Sequence, residues 1–452
     1  MKSNILFLLI DSFRADYFYN HKKSFSTPNI DQMIKKGTYF TQSISCADGT
    51  AVAMGGIFTG LYPTNSGINS YQIKSKKSNY FNHLQKLGYN IFTTVSNYAG
   101  LNMVLSAYLK QTGNNFQSKF ERLDTGYGDD VLKRLNMDNS NQPWFHFIYF
   151  GDLHMSNVTK TMDIPKRFDS EEFGKNKFER SISVIDYWLG KFLEKIDFES
   201  TLVIITADHG DYIPINDIRD HHFIPEFTKS VSIAKNLLPK PLWPLTKKIV
   251  KRLRFHIQEK RFNDVTKNLT ELEKRSLRTR AGWYLFDDLV RTPLLFCGNN
   301  IPNDKVINNQ VASVDIFPTI LDLLNLSQID GEVDGESFVP LLQGEFGSSN
   351  PIYLETASIE IDDVLGKMVG IRTSEYKYFR SRKSPKEKIH LYDLKNDPFE
   401  ENNLAKINVE LVKQMELILS NFLITFDVNA SEKLTDKESK IIINELKRLG
   451  YM

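Results

Sequence analysis

Two short runs, Ile5-Leu-Phe-Leu-Leu-Ile10 and Thr201-Leu-Val-Ile-Ile-Thr206, are apolar almost throughout and lead directly to acids, Asp11 and Asp208. A half-exposed strand alternates apolar and polar residues. A run that does not alternate and is too short for a helix fits a strand buried on both faces, as in a parallel sheet covered by helices. Phe145 to Phe150 and Pro293 to Phe296 have the same character, and helical patterns lie between these runs at Ile30 to Lys36, Tyr80 to Leu87 and Ser181 to Ile196. The alternation predicts an α/β fold, a large mostly parallel sheet sandwiched by helices.

From about residue 350 the pattern changes. Pro351 to Glu355, Met368 to Thr373, Tyr376 to Phe379 and His390 to Tyr392 are short and separated by turn residues, which predicts a smaller antiparallel sheet. Ser431 to Leu449 has the spacing of an amphipathic helix, with Gly450 as its stop. The expected organisation is a catalytic domain over 1–345, an antiparallel-sheet subdomain over 346–430 and a closing helix over 431–452.

The chain of 452 residues is 41% hydrophobic, enough for one large core. No stretch approaches the roughly 18 apolar residues of a spanning helix. The run after Lys2 is too short for a secretory signal, so a cytoplasmic protein is expected, at most peripheral to a membrane. Cys46 and Cys297 are too few and too far apart for a disulfide framework or a zinc ribbon, and read as buried thiols.

In sheets of this kind ligands gather beyond the carboxyl ends of the strands. Asp11, Asp152 and Asp208 each follow a strand-like run, so one rim would collect them. A single strand-end aspartate is as readily a cap or turn residue. Asp208-His209-Gly210 says more: a carboxylate and an imidazole side by side, followed by glycine, suit a pair of metal ligands at a tight turn.

Taken together and in order, these pieces resemble the sulfatase family within the alkaline phosphatase superfamily. The resemblance runs through Asp11-Ser-Phe-Arg14-Ala-Asp16, Phe58-Thr-Gly-Leu-Tyr-Pro63, Asp152-Leu-His154, Asp208-His-Gly-Asp211 and Arg291-Thr-Pro-Leu-Leu-Phe296. It continues through Val314-Asp-Ile-Phe-Pro318, Asp334-Gly-Glu-Ser-Phe338 and Leu391-Tyr-Asp-Leu394, so it spans nearly the whole chain. It implies a nucleophile nine residues before Thr59, which is Thr50, and a metal site built from Asp11, Thr50, Asp208 and His209. It also implies a catalytic or oxygen-binding role for His154, whose alternative is a histidine satisfying a strand-end carbonyl. Arg14, Asp152, His221 and His222 are candidate substrate contacts. Arg14 has the alternatives of pairing with Asp16 or bracing the metal ligands, and His221 and His222 that of lying solvated.

The departures are chemical. Sulfatases proper convert the first residue of Cys/Ser-x-Pro-x-Arg to formylglycine, whereas this chain has Thr50-Ala-Val-Ala-Met54. Threonine cannot undergo that conversion. Superfamily relatives with threonine here act on phosphate esters, so a phosphoester is expected ahead of a sulfate ester, with hydrolysis and transfer both open. A threonine hydroxyl attacks only when its proton is easily lost, and a divalent cation promotes this. One divalent metal ion, or two, is expected. The imidazole and the small number of carboxylates favour Mn²⁺ or Zn²⁺, with Mg²⁺ and Ca²⁺ as alternatives.

Residues 224–280 hold 15 Lys or Arg against 5 Asp or Glu, though the whole chain is only +2. This basic insertion follows the Asp208-His209 pair. It reads either as a surface for an anionic membrane or a polyanion, or as a solvated helical hairpin packed on the core. No nucleic-acid motif is present and no nucleic-acid partner is expected. The expected substrate is a small-molecule, glycan or lipid-linked ester. The contrasting possibilities are a sulfuric ester hydrolase working without formylglycine and a non-catalytic binding protein on the same fold.

Overall fold

The computed structural model describes residues 2–19, 25–68, 79–97, 114–137, 143–156, 163–213, 256–278, 284–329, 331, 333–345, 350–357 and 367–426. Eight strands form the large sheet: β1 (Asn4–Ile10), β2 (Gly37–Ile44), β3 (Asn90–Val95), β4 (Asn115–Gln117), β5 (Trp144–Phe150), β6 (Thr201–Thr206), β7 (Arg291–Cys297) and β8 (Lys305–Ala312). Their order is β4-β3-β5-β1-β6-β7-β2-β8. All pairings are parallel except those of β7, which runs antiparallel to both β6 and β2. The expected mostly parallel sheet is therefore present.

Strand β1 lies at its centre, paired with β5 through Ile5–Phe145 to Ile10–Phe150 and with β6 through Asn4–Thr201 to Leu9–Thr206. Its alternation serves two cores. Ile5, Phe7 and Leu9 pack into the cluster with Phe58, Phe81, Phe147 and Phe317. Leu6, Leu8 and Ile10 enter the opposite cluster with Ile182, Ile185, Trp188 and Phe192 of the helix Lys177–Leu193. All six side chains are fully buried, each contributing about 1.5–3 kcal/mol of hydrophobic stabilisation. A fully apolar strand is what a sheet with helices on both faces requires.

The second sheet is antiparallel, in the order β12-β11-β10-β9, from β9 (Ile352–Glu355), β10 (Met368–Arg372), β11 (Tyr376–Ser381) and β12 (His390–Asp393). Helix Val409–Phe426 belongs to its core with Met415 and Leu419, an element that the sequence pattern left unassigned. The sheet is joined to the approach to Thr50: Glu355 N–H donates to the Cys46 carbonyl at 3.0 Å, and Ala357 N–H to Asp48 Oδ1 at 2.6 Å. The expected helix over 431–452 and most of the basic insertion lie outside the described residues. Within 256–278, Arg275 pairs with Asp288, Arg278 with Glu259, and Lys274 with Glu271. No helix among the described residues is long and apolar enough to cross a membrane.

Candidate active site

The carboxyl ends of β1, β5 and β6 carry Asp11, Asp152 and Asp208 to one rim. The chain turns sharply after β1: Ser12 has φ +63°, a left-handed conformation uncommon for a residue with a side chain. That turn aims the Ser12 N–H at Asp208 Oδ1 (3.3 Å) and its hydroxyl at Asp11 Oδ1 (2.7 Å). Strain of this kind persists where the surrounding contacts enforce it. At β6 the next turn is equally constrained. The Gly210 N–H donates to the Leu289 carbonyl at 2.7 Å, and a Cβ at 210 would lie 2.1 Å from the Asp288 carbonyl oxygen. Only glycine lets the Asp208-His209 turn pass beneath the 287–290 segment.

His209 is completely buried. Its Nδ1 lies 2.8 Å from the Gly210 carbonyl, an acceptor only, so Nδ1 carries the proton and the Nε2 lone pair faces the cluster. Around Nε2 lie Thr50 Oγ1 at 3.1 Å, Asp208 Oδ2 at 3.3 Å and Asp11 Oδ1 at 3.6 Å. Thr50 is the first residue of the helix Thr50–Thr59, whose N-cap, Gly49, provides no side-chain acceptor. Thr50 therefore stands at the end of the helix where the backbone N–H groups carry partial positive charge.

His154, on a one-turn helix after β5, is buried with Nδ1 3.4 Å from Ser12 Oγ and 3.7 Å from Asp11 Oδ1. Asp11, Thr50, His154, Asp208 and His209 are thus brought together from four distant stretches of chain. Two further residues join them. Ser12 bridges Asp11, Asp208 and His154, and the Tyr149 hydroxyl donates to Asp11 Oδ2 in a short hydrogen bond. Tyr149 is the one hydroxyl-bearing residue in the aromatic run Phe145 to Phe150. A polar tip at the rim end of a fully buried strand was the signal available in the sequence.

Two expected substrate contacts face elsewhere. Arg14 pairs with Asp16 through Nε (2.9 Å) and Nη2 (2.6 Å), and with Asp288 at 2.7 Å; these described bonds include the alternative pairing with Asp16 and reach none of the metal-ligand candidates. Asp152 Oδ1 accepts the Leu123 N–H at 3.1 Å, and burial lifts its carboxyl to about 7. His221 and His222 lie outside the described residues. Cys46 is buried against the backbone of Gly56, and burial pushes its thiol up to about 12, which suits packing and opposes nucleophilic use.

The ligand atoms of Asp11, Asp208 and His209 all lie within 4.8 Å of one another. Two carboxylates and an imidazole lone pair, fully buried and converging, have the donor chemistry of a divalent cation site, and close burial of two anions is costly without a cation. The residues present fit such an ion.

Sequence comparison gives the family. The sulfatase family profile matches residues 3–326, and a profile for the C-terminal part of N-sulphoglucosamine sulphohydrolase matches residues 281–423. The chain belongs to the sulfatase family, whose members are ester-hydrolysing enzymes. It is 22% identical to arylsulfatase K of Canis lupus familiaris, over 97% of this chain and 85% of that protein. In fold it is similar to BT4656, solved in complex with its substrate D-glucosamine-2-N,6-O-disulfate (TM-score 0.65, 13% identity, 95% of this chain and 99% of that one). It is also similar to the phosphonate monoester hydrolase of Agrobacterium radiobacter (TM-score 0.61, 16% identity, 96% and 99%). The family profiles and the arylsulfatase K match favour a sulfate ester, whereas the Thr50 motif placed a phosphoester first.

Proposed function

We propose that this protein is a metal-dependent hydrolase of sulfate esters, acting on a sulfated sugar through Thr50 as nucleophile. The observation that carries the reading is the position of the Thr50 hydroxyl, 3.1 Å from an imidazole nitrogen that is itself 3.3 and 3.6 Å from two buried carboxylates. Asp11, Asp208 and His209 would hold a divalent cation, Mn²⁺ or Zn²⁺ ahead of Mg²⁺ or Ca²⁺. Such an ion supplies positive charge that offsets developing negative charge on ester oxygens and eases loss of the threonine proton. The amides that open the helix Thr50–Thr59 act in the same direction.

Thr50 gives up its proton to solvent, and its Oγ forms a bond to sulfur as the bond from sulfur to the leaving alcohol breaks. His154, positioned by Ser12 and Asp11, gives the departing oxygen its proton. Water then returns a proton to His154 and attacks sulfur in the threonine sulfate; the Oγ–S bond breaks, Thr50 Oγ takes a proton back from solvent, and inorganic sulfate leaves. Tyr149 and Ser12 hold the Asp11 carboxylate in orientation throughout. The substrate of the structural neighbour BT4656, a sulfated glucosamine, supports a glycan substrate, and two buried free thiols suit a cytoplasmic setting.

A second reading keeps the site and replaces sulfur with phosphorus. It is favoured by Thr50-Ala-Val-Ala-Met54, which offers a hydroxyl nucleophile and no residue for formylglycine formation. Purified protein assayed with nitrophenyl sulfate, nitrophenyl phosphate, a phosphodiester and a glucosamine sulfate, each with the four cations in turn, tests both. Cation-dependent sulfate release that disappears in Thr50→Ala is expected. Sulfate release undiminished in Thr50→Ala would refute the proposed nucleophile, and turnover confined to phosphoesters would select the second reading.

A further inference from the structure

At the far end of the large sheet from β4, where β7 begins and β2 and β8 approach their ends, Arg372 of β10 reaches across from the antiparallel sheet. Between them lies a cavity of about 140 Å³ lined by Gln42, Arg291, Asn308, Gln310, Arg372 and Ser374, with Asp287 at its wall. At ~30 Å³ per water it holds the equivalent of four or five waters, room for a five-atom oxyanion. The active-site residues are not among those that line it.

The acceptors here are already used. Asp287 receives Arg372 Nε (3.0 Å) and Nη2 (2.9 Å) and the Lys377 ammonium. Gln42 Oε1 receives Arg372 Nη2 at 2.6 Å, Gln310 Oε1 receives Arg372 Nη1 at 2.8 Å, and Asn308 Oδ1 receives the Thr41 hydroxyl at 2.9 Å. With their oxygens committed, the amide groups of Gln42 and Asn308 have N–H donors left to offer, beside the Ser374 hydroxyl and the Arg291 guanidinium. The cavity is therefore rich in donors.

Its charge points the same way. A chain of ion pairs runs Asp16, Arg14, Asp288, Arg275, and a second runs Glu400, Lys377, Asp287, Arg372. Among the described residues each chain balances itself, and Arg291 is an additional cation beside Asp16 and Asp287. A partly buried guanidinium in surplus, amid hydrogen-bond donors, is an environment that favours an anion.

We propose that this cavity binds one tetrahedral oxyanion, a sulfate or phosphate group, held by Arg291 with Gln42, Asn308 and Ser374. The group is either the free ion or a sulfate carried on a sugar. The proposal does not depend on the ester that the enzyme cleaves, because binding is measured without turnover.

Calorimetric titration of the full chain with sodium sulfate, in chelator and at ionic strength matched with chloride, tests it. Binding should survive in Asp11→Asn, which disables the catalytic cluster, and weaken about tenfold or more in Arg291→Gln, the scale of a lost charged hydrogen bond. Ser374→Glu, at an exposed position that leaves the core untouched, should weaken it similarly by placing a carboxylate at the mouth. A monosulfated hexosamine titrated in parallel identifies the source: the tighter of the two ligands marks the free ion or the sugar-borne group. Absence of sulfate binding in Asp11→Asn, or unchanged affinity in both cavity variants, would overturn the assignment.

Discussion

Two pairs of carboxylates, all buried except the partly buried Asp287, lie on either side of the Gly210 turn, and the contacts described around them differ. The described groups around Asp11 and Asp208 are hydroxyls, backbone amides and imidazoles: Ser12, Tyr149, His154 and His209. Those around Asp287 and Asp288 are cations that the chain itself supplies. Arg372 and Lys377 flank Asp287, and Arg14 and Arg275 flank Asp288. Burial works against ionisation of Asp287, yet Arg372 and Lys377 hold its carboxyl well below the usual carboxylate range. A carboxylate neutralised from within is a structural brace. Asp11 and Asp208 instead converge with His209, their ligand atoms all within 4.8 Å of one another, as the donors of a cation site do. The segment 287–290 joins the two pairs, since Leu289 accepts the Gly210 N–H and Asp288 grips Arg14, three residues beyond Asp11.

The largest expected effect separates chemistry from bracing. Thr50→Ala should lower sulfate-ester turnover by about 10⁴-fold or more, as loss of a nucleophile does, with its thermal melting unchanged; Thr50→Ser should retain measurable activity. Next, Asp288→Asn should cost about 3–5 kcal/mol of stability by leaving Arg14 and Arg275 short of a counter-charge, read from denaturant unfolding. Asp208→Asn should behave in the converse way. It should cost little stability without metal, but should abolish the gain of about 2.7 kcal/mol expected when a cation is present at a hundred times its dissociation constant. If Asp208→Asn and Asp288→Asn proved interchangeable in these assays, the distinction between the two pairs would fail.

Asp152 gives a smaller effect with a defined pH window. Burial raises its folded value to about 7, above the unfolded value near 3.9. The folded state therefore prefers the protonated acid, and the stability this confers is complete below about pH 4 and is lost as pH rises through about 7. Asp152→Asn should be more stable than the wild type at pH 8 by about 1–2 kcal/mol, given relaxation of the buried charge, with the advantage absent at pH 4. Smallest of all, Cys46 and Cys297, both lifted to about 12 by burial, should resist a thiol-titrating disulfide reagent at pH 8 until the protein is unfolded.

The core of the large sheet was legible because β1, β5 and β6 are buried on both faces and leave no polar alternation to obscure them. Strand β8, Lys-Val-Ile-Asn-Asn-Gln-Val-Ala, was not, because an edge strand exposes Val306, Asn308 and Asn309 and its composition resembles a loop. The antiparallel course of β7 was hidden for a related reason: a buried run reads the same in either direction. At the site, Asp11, Thr50, His154, Asp208 and His209 could be ordered along the sequence, since each sits at an element boundary that the motif spacing marks. The partners of Tyr149 and Arg14 could not, because Asp11 and Asp288 lie 138 and 274 residues away from them in the chain.

The most direct measurement is an anomalous diffraction map from a crystal soaked in Mn²⁺. A peak is expected bounded by Asp11, Asp208 and His209, within about 2.0–2.6 Å of their ligand atoms and adjacent to Thr50 Oγ. A cation bound elsewhere, or a Thr50 oxygen more than about 6 Å from the bound ion, beyond any shared coordination, would contradict it.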